Sequence, residues 1–367
     1  MSVLNLVLVG GGHSHLFVLE AFAARPEPGV RLTLVSPSPL TTYSGMLPGV
    51  IGGQYQMRQA QIDVARLAAR AGAAFVMAAV AGIDTAARAL ALAGGGSLVY
   101  DLVSFDIGAP PAPLPDVDAA APLVALKPFT TATAAIDAAL AAARPCRAVI
   151  VGGGAAGAEL AWALAARLRR RAGSTLTVCD RTAEPLAGRA PATRRRVLRA
   201  FAAAAIAWRG GVEVAAIAAD AVRLRGGDAL PAELIINASG ATGPALFAST
   251  TLPLDRRGFL RVGDDLRCGV CPELFASGDC AVPVSHPQLP RAGVYAVRQG
   301  PLLAHNLRAA LRDAPLRPFR PRQRVLALLN TADARAILSY GPLAWHGRAA
   351  WWAKDAIDRR FVARFDR

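Results

Sequence analysis

Short, uninterrupted apolar runs alternate along the chain with stretches in which apolar residues recur at helical spacing. The first run, NLVLVGGG (5–12), is followed by HSHLFVLEAF, whose apolar residues lie three and four positions apart. A second apolar run, RLTLVSP (31–37), comes next. Buried strands are continuously apolar and amphipathic helices show a period of 3.6. The pattern therefore predicts a strand, a glycine turn, a helix and a second strand.

The same pattern occurs again in the middle of the chain. RAVIVGGGAAGAELAWAL (147–164) is followed by the apolar run STLTVCD (174–180). Two such βαβ units predict an α/β protein with parallel sheets. Glycines between a strand and a helix let the backbone approach a pyrophosphate, whose charge then lies at the positive end of the helix. The alternative is a pair of tight strand-to-helix turns without a ligand.

The second copy has the complete dinucleotide fingerprint, with Gly152, Gly154 and Gly157 in the G-x-G-x-x-G positions. Asp180 ends its second strand, where a carboxylate can accept hydrogen bonds from a ribose 2′-hydroxyl. Such a carboxylate repels a 2′-phosphate, so NADH is the expected dinucleotide. Arg181 could pair with that phosphate, which keeps NADPH as the alternative.

The first copy departs from the fingerprint at two positions. His15 stands where the third glycine normally permits close packing of helix on strand, and Ser36 stands where the ribose-binding acid is expected. We therefore expect the helix to lie slightly further from the strand. His13 and His15 are interpreted as residues that cap the helix or pack against it, with phosphate contact as the alternative.

A third motif follows both units. PELFASGDCAVP (272–283) is an apolar strand that ends in Gly278-Asp279. With these three motifs in this order, the chain resembles the pyridine nucleotide-disulfide oxidoreductase superfamily, and within it the type II NADH:quinone dehydrogenases. More narrowly, it resembles the flavoprotein domain fused to, or encoded beside, selenide, water dikinase. The stretches that carry the resemblance are LVLVGGGHSH, VSPSPLTTYSGMLPG, YDLVSFDIGAPP, RAGVYAVRQGP and WWAKDAIDRRFVARF.

The resemblance implies the fold, the domains and the cofactors. It implies an α/β fold with two Rossmann-like dinucleotide-binding domains, each a three-layer ββα sandwich. A discontinuous FAD-binding domain would comprise residues 1–110 and 245–312, and an NAD(P)H-binding domain would be inserted as residues 111–244. Residues 313–367 would form a small C-terminal α+β domain. FAD would be the bound cofactor and NADH the hydride donor.

The resemblance also implies site residues. The strand AELIINASG (232–240) would close the NADH domain at Gly240, and LPRAGVYAVRQG (289–300) would begin a helix whose N–H groups point at flavin O2 and N1. The implied FAD contacts are Gly10, Gly12, His13, Ser14, Ser36, Tyr43, Gly45, Met46, Ala109, Gly278, Asp279, Arg291, Gly293 and Val294. The implied NADH contacts are Gly152, Gly154, Ala156, Gly157, Asp180 and Gly240.

Three residues are candidates for catalysis. Glu159 would lie near the nicotinamide, or would be an acid favoured by the helix dipole. Tyr295 and Gln299, with Arg298, would face the second substrate, or would be ordinary residues of a helix surface. Lys127 matches a stretch of the family but has no role that the sequence reveals.

The cysteines bear on the electron acceptor. The first hundred residues contain none, and Cys268-x-x-Cys271 precedes the Gly278-Asp279 turn, where the superfamily has no redox pair. We interpret the cysteines as incidental, with a redox pair or a zinc site that includes Cys280 and His286 as alternatives. No metal is expected. A quinone-like acceptor is expected, and the alternatives are a reductase linked to selenium metabolism or a flavin-binding regulatory or docking protein.

Charge and the tail bear on partners and location. The net charge is +15, almost all from arginine, but no basic stripe interleaved with aromatics predicts nucleic-acid binding. In the tail, Ile357, Phe361 and Phe365 share a helical face beside arginines, which is typical of an anionic membrane surface or of a helix docked on the protein. The N-terminus has no signal-peptide pattern. We expect a cytoplasmic protein, with peripheral attachment to the inner face of the cytoplasmic membrane as the alternative; a homodimer is left open.

Overall fold

The computed structural model describes residues 3–142, 144–322 and 324–366. The helices are α1 (His13–Ala24), α2 (Leu47–Ile51), α3 (Val64–Arg70), α4 (Phe129–Ala141), α5 (Ala155–Leu168), α6 (Pro191–Ala203), α7 (Ala245–Ala248), α8 (Gly293–Ala310) and α9 (Arg348–Phe365). The strands of the first half are β1 (Leu4–Val9), β2 (Val30–Ser36), β3 (Leu40–Thr42), β4 (Gln61–Asp63), β5 (Ala74–Met77), β6 (Val80–Asp84), β7 (Ala89–Leu92), β8 (Ser97–Val99), β9 (Leu102–Phe105), β10 (Leu123–Val124), β11 (Arg147–Val151) and β12 (Thr175–Asp180). Those of the second half are β13 (Ile206–Gly210), β14 (Val214–Ile217), β15 (Ala221–Leu224), β16 (Ala229–Pro231), β17 (Leu234–Asn237), β18 (Leu260–Val262), β19 (Leu274–Ala276), β20 (Ala281–Pro283), β21 (Ala327–Asn330), β22 (Ala336–Tyr340) and β23 (Leu343–Gly347).

The first large sheet is parallel, in the order β19-β9-β1-β2-β5. In its register, Val9 lies beside both Val35 and Phe105, so β1 is central. Strand β19 comes from far along the chain, after the second sheet, and pairs with β9. This sheet is therefore assembled from two separate segments, as the resemblance implied.

The second large sheet repeats this arrangement. Its order is β10-β17-β11-β12-β13, again parallel, and Val151 lies beside both Cys179 and Asn237. Strand β17 ends at Asn237, three residues before the predicted end at Gly240. The prediction was wrong because the backbone N–H and hydroxyl of Ser239 turn back onto the Asn237 side chain, which ends the strand there.

Smaller antiparallel sheets accompany the large ones. The sheet β6-β7-β8 is inserted between β5 and β9 of the first, β14-β15-β16 is inserted between β13 and β17 of the second, and β21-β22-β23 precedes α9. Helices α1 and α8 pack closely at Gly300. A Cβ atom at this position would lie only 2.5 Å from the Phe17 ring, so the contact requires glycine. The predicted fold, with two Rossmann-like units, a discontinuous first unit and a small C-terminal α+β unit, is confirmed. The domain limits at residues 110, 244 and 312 stay predictions.

Helix α9 docks on the protein through the helical face that carries Phe361 and Phe365. Phe365 is buried, and the Phe361 ring stacks on Tyr43 with centroids 4.5 Å apart. Ile357 is 51% exposed, whereas Ala350 and Trp351 near the start of the helix also contact the protein. For Phe361 and Phe365 the structure therefore agrees with the alternative of a helix docked on the protein. Among the described residues, no helix is both long and apolar enough to cross a bilayer.

Candidate functional site

The glycine turn of the second unit has the form that a bound pyrophosphate needs. A Cβ atom at Gly157 would lie 1.9 Å from the Gly152 carbonyl oxygen, so only glycine lets α5 pack this closely on the turn. A Cβ atom at Gly154, the N-cap of α5, would meet no other atom within 4 Å. Space in front of Gly154 is thus open at the positive end of a helix, where an anion is stabilised.

The corresponding turn of the first unit is closed by two side chains. His15 is fully buried, and its Nδ1 lies 2.7 Å from the Gly10 carbonyl oxygen while Nε2 lies 2.9 Å from Ser104 Oγ. A carbonyl only accepts, so Nδ1 carries the proton and Nε2 accepts from the Ser104 hydroxyl. The N-cap of α1 is Gly12, without a side-chain capping bond, so His15 packs and does not cap the helix.

The second side chain is that of Asp106, which the sequence analysis did not single out. Its Oδ2 accepts the backbone N–H groups of Ser14, at 2.7 Å, and His15, at 3.2 Å. A Cβ atom at Gly12 would lie 2.2 Å from Asp106 Cγ, so this carboxyl lies against the first turn, whereas no atom lies within 4 Å of the Cβ position of Gly154. A comparison of the two repeats finds it, since Asp106 follows Phe105 as Ala238 follows Asn237 in the matching register.

The two units also differ at the end of their second strand. Asp180 Oδ2 accepts the Gly153 N–H at 2.6 Å, and its Oδ1 accepts from the Thr182 backbone and hydroxyl, each at 2.7 Å. Ser36 occupies the matching position in the first unit and donates its hydroxyl to the Ser38 carbonyl at 2.9 Å. Only the second unit therefore places a carboxylate where a ribose would lie.

The turn after β19 lies against the first glycine turn. Gly278 donates its N–H to Gln299 Oε1 at 2.7 Å, and a Cβ atom there would lie 2.6 Å from Asp106 Oδ1. Burial raises the pKa of Asp279, opposed by the nearby positive charges of Lys127 and Arg291. Gln299 is buried and holds this turn, and Tyr295 is buried beside it in the same helix. The helix-surface alternative for Tyr295 and Gln299 was therefore wrong, and their catalytic role stays a prediction.

Two cationic side chains enter this region. Lys127 Nζ donates to the Ala109 carbonyl at 2.8 Å, which joins the crossover after β9 to the segment before α4. The Arg291 guanidinium donates to the Ala281 carbonyl at 2.7 Å and lies 4.2 Å from the centre of the Phe259 ring. Lys127 had no predicted role, and its charge lies close enough to Asp279 and His13 to affect the pKa of both.

The loop that carries the predicted FAD contacts Tyr43, Gly45 and Met46 lies beside the start of α8. Ser44 Oγ is 3.7 Å from the Cβ position of Gly293, so the loop that carries Gly45 and buried Met46 meets the helix that begins at Gly293 and continues through Val294. His13 packs edge-on against Tyr43, with centroids 5.4 Å apart. Burial lowers the pKa of His13 to about 4, and its Nε2 is buried without a partner in the described part of the chain.

A buried charge cluster lies where α9, α5 and this loop meet. Lys354 Nζ donates to Asp358 at 2.9 Å and to the Gly45 carbonyl at 2.9 Å, and it lies 4.0 Å from Glu159 Oε1. Glu159 also accepts the Asn330 N–H at 2.8 Å. Burial raises the pKa of both carboxyls, which share one lysine, whereas the two carboxylates raise the pKa of Lys354 against the opposing effect of burial.

All five cysteines are free thiols, and Cys271 lies within hydrogen-bonding reach of Cys268. Burial raises the pKa of the Cys179 and Cys280 thiols to about 12 and also raises that of Cys146 and Cys271, so these thiols are protonated at neutral pH and are poor nucleophiles. Within residues 3–142, 144–322 and 324–366, no three His, Cys, Asp or Glu side chains cluster closely enough to hold a metal ion.

Known proteins share this sequence pattern and this fold. The family model for pyridine nucleotide-disulphide oxidoreductases matches residues 4–306. The sulfide:quinone oxidoreductase from Aquifex aeolicus superposes with a TM-score of 0.83 at 18% identity, over 99% of this chain and 91% of that chain. NDH2 from Plasmodium falciparum, in complex with NADH, superposes with a TM-score of 0.83 at 12% identity, over 99% and 97%. No curated protein matches the sequence. At these identities the structural likeness shows a shared fold.

Proposed function

Because the chain belongs to the pyridine nucleotide-disulphide oxidoreductase family, matched over residues 4–306, we propose that it oxidises NADH through bound FAD and reduces a quinone-like acceptor. The family and the general class, a flavin-dependent pyridine nucleotide oxidoreductase, agree with the sequence prediction. The narrower resemblance to the flavoprotein associated with selenide, water dikinase stays a prediction. The observation that carries the proposal is the pair of glycine turns, one open and one closed by Asp106.

FAD would lie along the first unit. Gly10, Gly12 and Ser14 would face its pyrophosphate, and the Gly278-Asp279 turn would contact its phosphate and ribitol. The buried, unpartnered His13 Nε2 fits a cofactor in this part of the structure, because a buried polar atom without a hydrogen bond is costly. When bound, FAD would accept a hydride and pass on two electrons.

The N-terminus of α8 would support the flavin electrostatically. The free N–H groups of a helix start stabilise negative charge, and α8 begins at Gly293 without an acidic residue in its first turn. Ser14 Oγ donates to the Ala296 carbonyl at 2.9 Å, which fixes α8 against the glycine turn. The remaining predicted contacts, Ser36, Tyr43, Gly45, Met46, Ala109, Arg291 and Val294, belong to this proposal as well.

NADH would lie along the second unit. Its pyrophosphate would occupy the open space in front of Gly154, at the start of α5, and contact the Ala156 and Gly157 backbone. The Asp180 carboxylate would accept from the ribose, and its charge would oppose the 2′-phosphate of NADPH. Gly240, after the end of β17, would contribute backbone to the same site.

The acceptor is proposed from the charge cluster and the cysteines. Glu159 and Asp358 share the cation of Lys354, and burial raises the pKa of both carboxyls, so either is a candidate to deliver the proton that a reduced acceptor takes up. Reducing a quinone by NADH consumes one proton in addition to the hydride. The protonated cysteines described above favour such a diffusible acceptor over a thiol-disulfide relay.

A peripheral membrane contact is proposed from the surface of the C-terminal unit. Leu343, Trp345, Trp352 and Ile357 are exposed by 65%, 46%, 61% and 51%, and the Arg348 guanidinium lies 5.8 Å from the Trp352 ring centre. Tryptophan beside arginine suits an anionic lipid interface, where quinones dissolve.

The function is tested by anaerobic mixing of the flavin-loaded protein with NADH and then with a soluble ubiquinone analogue. We expect the flavin absorbance to bleach with NADH and to return rapidly with the quinone. No bleaching with NADH or NADPH would contradict the hydride step. Bleaching without recovery on addition of quinone would contradict the proposed acceptor.

The membrane contact is tested with vesicles that contain anionic lipid. Removing the tail would also remove Lys354 and Phe365 from the core, so a point variant is the better probe. We expect Trp345→Ser with Trp352→Ser to reduce co-sedimentation. The control is Val270→Ser, which changes an exposed apolar residue outside the C-terminal unit. Equal binding of the double variant and the wild type would refute the contact.

A further inference from the structure

We propose that Asp106 is a proton-accepting ligand of the FAD pyrophosphate, so that binding of FAD takes up one proton at the Asp106 carboxyl. The inference rests on the proposed placement of FAD at the first glycine turn. It assigns a function to a residue that stands at the same place in the first unit as Ala238 does in the second.

Asp106 and Ala238 occupy equivalent backbone positions in the two units. Asp106 and Ala238 each donate a backbone N–H to the last residue of the central strand, Val9 at 2.9 Å and Val151 at 2.7 Å. Their carbonyl oxygens lie under equivalent glycines, 2.5 Å from the Cβ position of Gly10 and 2.2 Å from that of Gly152. Backbone geometry is therefore shared, and the added carboxyl is the difference between the turns.

The two oxygens of the Asp106 carboxyl have different surroundings. Oδ2 accepts the N–H groups of Ser14 and His15 at the start of α1. Oδ1 lies 2.4 Å from the Cβ position of Gly12 and 2.6 Å from that of Gly278. It is thus located between the two glycines that would make room for the FAD phosphates.

An ionised carboxylate in this position opposes a pyrophosphate. Both are negative, the site is buried, and the repulsion between like charges is strong where water is excluded. A protonated carboxyl removes the repulsion. Its Oδ2 can keep accepting from Ser14 and His15 while the hydroxyl at Oδ1 donates to a phosphate oxygen. One proton then moves from solvent to Oδ1, and no covalent bond between heavy atoms changes.

The other titratable groups around Asp106 have distinct behaviour. Burial lowers the pKa of His13 and of His15 to about 4, so both are neutral near pH 7. Burial raises the pKa of Cys280 to about 12, which leaves a neutral thiol. Asp279 is the competing acid, since burial raises its pKa too. The positive charges of Lys127 and Arg291 lie near Asp279 and oppose the effect of burial on its pKa.

The protonation state before FAD arrives is consistent with this role. Burial, with the nearby charge of Asp279, raises the pKa of Asp106 to about 7 against the opposing effect of the His15 and Ser14 hydrogen bonds. Below about pH 6 the carboxyl therefore already holds its proton, and above about pH 8 it must acquire one when FAD binds. The linkage predicts an FAD dissociation constant that rises about tenfold between pH 6 and pH 8.

The test is calorimetric titration of flavin-free, full-length protein with FAD in two buffers of different ionisation enthalpy, from pH 5.5 to 8.5. The buffer dependence of the heat gives the number of protons taken up. We expect close to one at pH 8 and close to zero at pH 5.5 for the wild type. For Asp106→Asn, whose amide can donate as the protonated acid does, we expect close to zero throughout and an affinity independent of pH.

The controls separate the possible failures. Asp180→Asn changes the carboxylate of the other glycine turn and should keep the wild-type proton uptake. Should Asp106→Asn not fold, as judged by circular dichroism, Asp106→Ala takes its place because the second unit has alanine there. Uptake that persists without the Asp106 carboxyl, or no uptake by the wild type, would overturn the inference. Failure of the wild type to bind FAD at any pH would instead overturn the proposed function.

Discussion

Lys354 Nζ of the tail helix α9 lies 4.0 Å from Glu159 Oε1 of helix α5, and both side chains are largely shielded from solvent. The lysine also holds Asp358, one turn further along its own helix, at 2.9 Å. The tail therefore contributes a charge to the proposed catalytic centre in addition to its surface role.

Removal of that charge should destabilise the protein strongly. Lys354→Met leaves two buried carboxyls without their cation, and breaking a buried pair costs about 3–5 kcal/mol of unfolding free energy. The matched control is Arg359→Met, which removes an exposed pair with Asp355 on the same helix; such pairs contribute about 1 kcal/mol or less. Urea unfolding measures both, and equal losses would show that the cluster is not effectively buried.

The dinucleotide preference should depend on Asp180. Asp180→Ser gives the second unit the residue found at Ser36 in the first, and it removes the charge that opposes a 2′-phosphate. A lost charge-assisted hydrogen bond is worth about 1.5–3 kcal/mol, so kcat/KM for NADH should fall about tenfold or more relative to that for NADPH. Asp137→Ser, a surface change, is the control. An unchanged ratio would argue against Asp180 as the selective group.

Two glycines of the second turn should respond differently to alanine. Gly154→Ala adds a methyl group to open space, so the melting temperature should stay unchanged while KM for NADH rises, because the methyl group occupies the pyrophosphate position. Gly157→Ala places a methyl group 1.9 Å from a backbone oxygen and should lower the melting temperature as well. Thermal unfolding with steady-state kinetics distinguishes the two. A KM for NADH that is unaffected by Gly154→Ala would contradict the placement of the pyrophosphate at this turn.

His15→Gly should keep FAD but weaken the fold. The imidazole bridges Gly10 and Ser104 inside the first unit and its nitrogens are directed at these protein groups. Its removal leaves a cavity and an unpaired Ser104 hydroxyl, which together cost about 2–4 kcal/mol. Flavin content of the purified variant and chemical unfolding check this. Loss of the flavin from a folded variant would show that the histidine itself makes a needed contact.

The stability of flavin-free protein should depend on pH through Asp106. The pKa of this acid is about 7 in the folded protein and near 4 when unfolded, so the folded state binds the extra proton between these values and stability falls as pH rises through them. Asp106→Asn lacks this loss. Relative to the wild type, it should gain up to about 3 kcal/mol between pH 4.5 and pH 8, at 1.36 kcal/mol per pKa unit. Asp118→Asn, at an exposed turn, should show no such trend in urea unfolding.

The sequence predicts those parts of the fold that depend on neighbouring residues. Each glycine turn, its strand and its helix are consecutive, so the period of apolar residues and the spacing of glycines reveal them. Asp106 was missed because it lies 92 residues from Ser14, and as the residue directly after an apolar strand it carries no local signal. Only the alignment of the two repeats, Asp106 with Ala238, contains the information.

The tail shows the same limit. Helical spacing correctly places Ile357, Phe361 and Phe365 on one side of a helix, but it does not say which of them find a partner. Phe361 is covered because Tyr43, more than three hundred residues earlier in the chain, lies against it. Lys354 carries no local sign of burial in the sequence, although in the structure it is buried beside Glu159 and Asp358.

We propose that hydride from NADH reaches the flavin and that no protein disulfide stores electrons. Anaerobic titration of the flavin-loaded protein with NADH tests it most directly, because absorbance reports each equivalent consumed. We expect complete flavin bleaching by one equivalent of NADH, with no further consumption of NADH. Consumption of two equivalents before the absorbance reaches its end point, with two new thiols detected, would contradict it, as would a flavin that NADH does not bleach.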